Sequence, residues 1–202
     1  MTSRHTMRRF LGIAGMSSVV LILLLADSSA AQGPKPFAPS ANPVTDSVRS
    51  ALAKQAKNLI ASAELMPPDK YGYQPTPAQM TFGALIAHVV QTNVAICSAF
   101  SAVDPPLPPE ALKQISGSDS KTALVAAVKQ SFDFCSASLA KLEDAGLREE
   151  ALMFGRPTSL SRAEALITIA VDWADHYSTA ASYLRLNGIL PPSAPPAGGR
   201  KN

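Results

Sequence analysis

The sequence predicts an all-α domain, a four-helix bundle, over residues 43–190. Three observations lead there. Four stretches of roughly twenty residues carry apolar side chains at helical three-and-four spacing. No segment between them shows the apolar/polar alternation of a half-buried strand. Proline-rich connections separate the stretches and cannot themselves continue a helix.

The first helix is expected from about Val44 to Met66, with Val48, Leu52, Ala56, Leu59, Ala63 and Met66 along one face. Pro67 to Pro77 follows as a loop containing four prolines, and Tyr71 and Tyr73 within it are placed to pack over one end of the bundle. The second helix runs from about Thr81 to Ala102. The third, from about Ser120 to Asp144, has the clearest stripe: Val125, Val128, Phe132, Cys135, Leu139 and Leu142, with Gly146 as a stop. The fourth begins near Ser161, which has capping-box spacing to Glu164, and continues through Leu166, Ile169, Trp173, Tyr177, Ala180 and Leu184. Asn187 and Gly188 end it, and Pro191 and Pro192 prevent continuation.

The connection Val103 to Asp119 is seventeen residues long and contains the run PPLPP. Fully extended at about 3.3 Å per residue it spans some 55 Å, whereas a twenty-residue helix is about 30 Å long. It can therefore cross the whole bundle, which makes helices two and three parallel. Cys97 then lies about sixteen residues into helix two and Cys135 about fifteen into helix three, at nearly equal height. In an oxidising compartment this predicts a Cys97–Cys135 disulfide. The plainer alternative is that Cys135 is a small apolar core residue.

The compartment comes from the N-terminus. Arg4, Arg8 and Arg9 form a basic region, Phe10 to Leu25 is apolar apart from small residues, and Ser29-Ala30-Ala31 resembles a cleavage site. Residues 1–31 are thus expected to be a signal peptide, and the protein exported to the periplasm or secreted with no stable membrane anchor after cleavage. Arg8-Arg9-Phe10-Leu11 hints at twin-arginine export. Residues 32–42 are expected to form a flexible lead and 191–202 a disordered tail rich in proline and glycine. Of 18 basic and 15 acidic residues, three and one leave with the signal, so the mature chain carries 15 against 14. That near balance, without a basic stripe, argues against nucleic-acid binding. The mature protein is expected to be a monomer or homodimer.

Only two histidines remain in the mature chain, His88 and His176, and Asp172 precedes His176 by one helical turn. Side chains four apart share a helix face, so Asp172 and His176 can converge on one point, and His88 could complete a three-ligand metal site. Spacing alone leaves the ordinary alternatives open: a structural or surface histidine, and a simple Asp–His hydrogen bond. Asp175 points about 100 degrees away from His176 on a helix and is expected to face solvent. Trp173 and Tyr177 fall on the apolar stripe and read as core, and Arg185 complements the end of helix four. No Ser-His-Asp order, glycine-rich phosphate loop or CxxC motif is present, so catalytic options reduce to a metal.

Two stretches, MPPDKYGYQPTPAQMTFGALIAHVV and HYSTAASYLRLNGILPPS, resemble the helix-two entrance and helix-four terminus of the DinB-like metal-dependent bundle family. The resemblance covers essentially the mature domain. It implies an up-down-down-up four-helix bundle with a long crossover between helices two and three, and a divalent ion held by His88, Asp172 and His176. Two departures stand out: Asp172, where the family usually has histidine, and Ser178-Thr179, where glycine and an amide-bearing residue are common. Two imidazoles and a carboxylate suit zinc, nickel, iron or manganese alike. The activities implied are thiol transfer, thiol-dependent isomerisation or hydrolysis of a small-molecule substrate. Low-molecular-weight thiols are scarce outside the cytoplasm, which makes hydrolysis comparable to thiol transfer. The competing expectation is a non-catalytic helical scaffold or metal-binding module. Membrane-surface binding is disfavoured because the bundle core accounts for each apolar stripe.

Overall fold

A computed structural model of the chain describes residues 38–195. The expected signal peptide, the lead as far as residue 37 and the tail from residue 196 lie outside the described residues.

Helix α1 (Pro43–Leu65) starts with proline at its first position, where the missing N–H costs nothing. Its own N-cap, Asn42, makes no side-chain cap. The cap comes instead from Asp144, about a hundred residues later: its carboxylate accepts from the backbone N–H groups of Val44 and Thr45, both at 2.9 Å. Asn42 returns the contact, its Oδ1 accepting from Asp144 N at 2.9 Å. At the other end Lys121 Nζ donates to the carbonyls of Glu64 and Met66, satisfying acceptors that a helix C-terminus leaves free.

Helix α2 (Phe82–Cys97) is capped by Thr81, whose hydroxyl accepts from Ala84 N at 3.1 Å. It ends before the expected Ala102, tightening into a 3-10 turn over Ser98–Phe100. The connection that follows holds a single short helical turn, α3 (Pro109–Leu112), and is tied to α2 by Gln91 Nε2, which donates to Ile115 O at 2.9 Å. Gly117 of this connection lies directly against the start of α2. A Cβ on Gly83 would sit 2.3 Å from Gly117 O, and one on Gly117 would sit 2.4 Å from Ala84 N.

Helix α4 (Lys121–Leu139), capped by Ser120, ends five residues before the expected Asp144. Leu142 is buried, but the chain has already left the helix. Arg49 of α1 takes the released carbonyls of Leu139 and Leu142.

The all-α expectation needs one correction, for the fold is mostly helical rather than wholly so. Strands β1 (Glu150–Met153) and β2 (Arg156–Ser161) pair antiparallel, with Leu152 opposite Pro157 and Met153 opposite Arg156. The turn is Phe154-Gly155, both at positive φ (51° and 74°), as a tight two-residue hairpin requires. Phenylalanine is a poor residue for that conformation and Pro157 argues against a strand, so local sequence hid the hairpin. Tertiary contact supports it: Phe154 N donates to Ser98 Oγ at 2.9 Å, tying the turn to the end of α2.

Helix α5 (Arg162–Leu186) opens with the full Ser161/Glu164 capping box and closes at Asn187, followed by Gly188 at φ 74°. Beyond it, Ser193 folds back on α5: its backbone N–H donates to the Tyr177 hydroxyl at 2.9 Å, and that hydroxyl donates to Ser193 Oγ at 2.5 Å.

Both α1 and α2 pack against α4 and α5. Contacts set the directions pairwise. Arg49 near the start of α1 meets the end of α4, and Lys129 of α4 pairs with Glu64 near the end of α1. Cys97 at the end of α2 is bonded to Cys135 near the end of α4, with Cα atoms 5.2 Å apart. Met80 before α2 accepts from Tyr183 Oη near the end of α5. The shared core includes Leu59, Phe82, Ile86, Leu124, Leu139, Leu166, Ile169 and Trp173, all fully buried. A buried polar relay crosses it: Trp173 Nε1 donates to Asn93 Oδ1 at 2.6 Å, and Asn93 Nδ2 donates to Ser131 Oγ at 3.0 Å. This satisfies groups that would be costly if left unpaired.

Candidate metal centre

The antiparallel contact of α2 and α5 brings His88 level with His176 and Thr92 level with Asp172. All three predicted ligands meet there. His88, Asp172 and His176 each offer a ligand atom, and these atoms lie within 4.8 Å of one another. The two imidazoles face each other with centroids 4.7 Å apart and planes tilted by 32°. All three residues are half-buried: close enough to the core to be held, open enough to be reached.

Hydrogen bonds orient the set. His176 Nδ1 lies 2.7 Å from the backbone carbonyl of Asp172, one turn earlier. A carbonyl only accepts, so that contact places the proton on Nδ1 and leaves the Nε2 lone pair free. Asp172 Oδ1 stands 3.4 Å from the same Nδ1. Its other oxygen, Oδ2, accepts from Thr92 Oγ1 at 3.0 Å. Thr92 has only one hydroxyl proton, which the His88 and Val89 carbonyls at 3.1 and 3.3 Å also attract.

Burial pushes the His88 imidazole below the ordinary histidine pKa, and the neighbouring His176 adds to this, while Asp172 pulls the other way. His88 is therefore held toward the neutral form, the form that can donate a lone pair to a cation.

These donors fit a divalent first-row ion. Bonds of about 2.0–2.2 Å place neighbouring ligand atoms roughly 3.0–3.5 Å apart. Donors already within 4.8 Å need to close by about an ångström, a small side-chain movement. The carbonyl behind His176 and the hydroxyl behind Asp172 are the kind of outer contacts that steady metal ligands.

Thr92 escaped the sequence reading although it lies four residues after His88, the same one-turn spacing that singled out Asp172 and His176. Asp175 was expected to face solvent alone. It is exposed, yet it also lines a cavity of about 300 Å³ together with His176, Gln79, Thr179 and Tyr183. Larger cavities of about 640 and 560 Å³ lie around the hairpin end and contain neither histidine nor cysteine. Cys97 and Cys135 are fully buried, bonded to each other and outside the histidine cluster. Tyr71 and Tyr73 pack at the entrance to α2, edge-on to Phe82 and Tyr183 respectively.

Residues 51–180, which include α2, α4 and all three candidate ligands, match the sequence profile of the DinB superfamily. The chain belongs to the DinB superfamily. Solved structures agree at the level of fold. A DinB-like protein from Bacillus cereus ATCC 10987 is 14% identical, with a TM-score of 0.58 over 74% of this chain and 97% of its own. The mycothiol-dependent maleylpyruvate isomerase is 17% identical with a TM-score of 0.51, covering 66% of this chain. A histidine-to-alanine mutant of that isomerase aligns equally well. The alignment spans 59% of the isomerase, so that enzyme carries a large part with no counterpart in the match. No curated protein matches the sequence. As a DinB superfamily member, the protein combines this helical fold with a His/Asp/His group able to hold a metal.

Proposed function

We propose that this DinB superfamily protein binds one divalent ion through His88, Asp172 and His176 and acts outside the cytoplasm on a small-molecule substrate, with metal-assisted hydrolysis or thiol transfer as the reaction class. The proposed scaffold is a four-helix bundle running up-down-down-up, with the 103–119 connection as crossover. The pairwise helix directions described above support that topology.

The convergence of the three ligand atoms within 4.8 Å carries the reading. Zinc, nickel, iron and manganese all accept such a donor set. Bound there, a divalent ion supplies Lewis-acid polarisation and lowers the pKa of a water or thiol. The chain's own part is to hold His176 in one tautomer through the Asp172 carbonyl, to keep His88 toward the neutral form, and to restrain Asp172 through Thr92. Buried Leu85, one turn before His88 on α2, adds an apolar wall to the cavity beside His176. The bonded cysteine pair supports export, because such bonds persist in oxidising compartments.

A second reading, a bundle that holds metal without catalysis or has lost it, is favoured by Asp172 itself. It stands where the resemblance in sequence expects histidine.

Metal analysis of the mature protein, purified without an affinity tag, tests the proposal. About one divalent ion per chain is expected, lost in His88→Ala and His176→Ala and retained or strengthened in Asp172→His. Circular dichroism should show all variants folded, since the core carries stability in a domain of this size. Equal metal content in wild type and His88→Ala would place the metal elsewhere and leave the scaffold reading.

A further inference from the structure

The cavity beside His176 carries its own charge pattern. Its polar lining residues are His176, Gln79, Thr179, Asp175 and Tyr183, whose hydroxyl is occupied in donating to Met80 O; His88 and Asp172 lie outside the lining. Among the described residues no lysine or arginine lines it, and Asp175 has no ion-pair partner. The remainder, Ala78, Met80 and Leu85, is apolar.

Charge counting gives this lining a consequence. Two neutral imidazoles and a divalent ion carry a net charge of about +2, Asp172 reduces it to about +1, and Asp175 on the cavity wall brings it to about zero. A three-imidazole site without the second carboxylate would attract anions. Here no excess positive charge remains and no basic side chain compensates, so an anionic substrate gains nothing on approach, whereas a cationic group meets an unpaired carboxylate.

The geometry points to Asp175 as the specificity-determining residue of the site, selecting small substrates that carry an ammonium or comparable cationic donor and rejecting carboxylates. Asp175 binds that cationic end while the reacting end lies toward His176, the candidate ligand on the cavity wall. This rests on the metal reading above.

Three hydroxamates with one metal-binding group and different tails provide the test: acetohydroxamate, glycine hydroxamate with its ammonium, and malonic monohydroxamate with its carboxylate. Each is titrated into the cobalt-loaded full-length mature protein and followed by the visible spectrum of the cobalt. In wild type the ammonium tail is expected to bind roughly tenfold or more tighter than the carboxylate tail, with the methyl tail between. Asp175→Asn, which removes no metal ligand, is expected to reduce the spread to about threefold or less, and Asp175→Lys to reverse its order. Equal affinities for the charged tails in wild type, or an unchanged spread in Asp175→Asn, overturns this inference while the cobalt spectrum leaves the metal reading standing. Failure to take up cobalt at His88, Asp172 and His176 overturns both.

Discussion

Thr92 Oγ1 donates to Asp172 Oδ2 across the α2–α5 contact at 3.0 Å, joining the helix that carries His88 to the carboxylate of the candidate metal centre. A hydroxyl in this position restrains the rotamer of the candidate ligand without being a ligand itself. Thr92→Val keeps the shape and removes the hydrogen bond, so it is expected to weaken zinc binding by about tenfold or more, whereas Thr92→Ser should stay near wild type. Isothermal titration of apo protein compares the three. A Thr92→Val variant with unchanged affinity would show that Asp172 needs no restraint.

Asp144 caps α1 from the loop after α4, and its carboxyl shows the result. Desolvation pushes its pKa up, but the hydrogen bonds from Val44 and Thr45 prevail and hold it below the usual carboxylate range. A depressed folded-state pKa means a contribution fully present above the unfolded value of about 3.9 and lost as pH falls through the folded one. Asp144→Ala is therefore expected to melt below wild type at pH 7, with the gap narrowing as pH falls below about 4. Thermal melts at several pH values measure it; a gap independent of pH would mean that the charged cap contributes nothing.

The Cys97–Cys135 bond closes 38 residues that include the whole crossover. Chain-entropy reasoning assigns such a loop about 4 kcal/mol. A Cys97→Ala/Cys135→Ala double variant should lose stability of that order in urea unfolding, less whatever the crossover's ties to α2 recover. Thiol titration of unfolded, unreduced wild type should find almost no free thiol; two per chain would remove the bond from the account.

Gly83 meets Gly117 backbone to backbone, and neither neighbour is a flexible side chain that could step aside. Gly83→Ala is expected to cost about 1–3 kcal/mol through overpacking, despite alanine's better helix propensity. Gly72→Ala, where a Cβ meets nothing within 4 Å, serves as the control and should change stability by about 0.5 kcal/mol or less. Denaturant midpoints decide it: equal effects at the two sites would argue against the close approach.

Much of the protein could be read locally, because much of it is held locally. The Thr81, Ser120 and Ser161 caps act within three residues of their own helices, and α2, α4 and α5 begin where those side chains indicate. Asp172 and His176 belong together through one helical turn. That His88 completes their group followed from the resemblance to a family and the scarcity of histidine, not from spacing.

Other features depend on partners distant in the chain. The cap of α1 is Asp144, the end of α4 is held by Arg49, and Phe154 adopts a left-handed turn with its N–H on Ser98. No window of neighbouring residues contains either half of those bonds together with the other. The apolar stripe of α4 continued to Leu142 because burial persists after the helix stops, so periodicity alone overran its end. Asp175 follows the same rule at the site: helical geometry turns it away from His176, but the Ala78–Met80 segment closes a cavity that both residues line. Local capping, helical spacing and composition thus determined the helices and, with the resemblance to a family, the candidate ligands. The crossing of α2 and α5 brought those residues together, and the loop folded beside it decided what His176 faces.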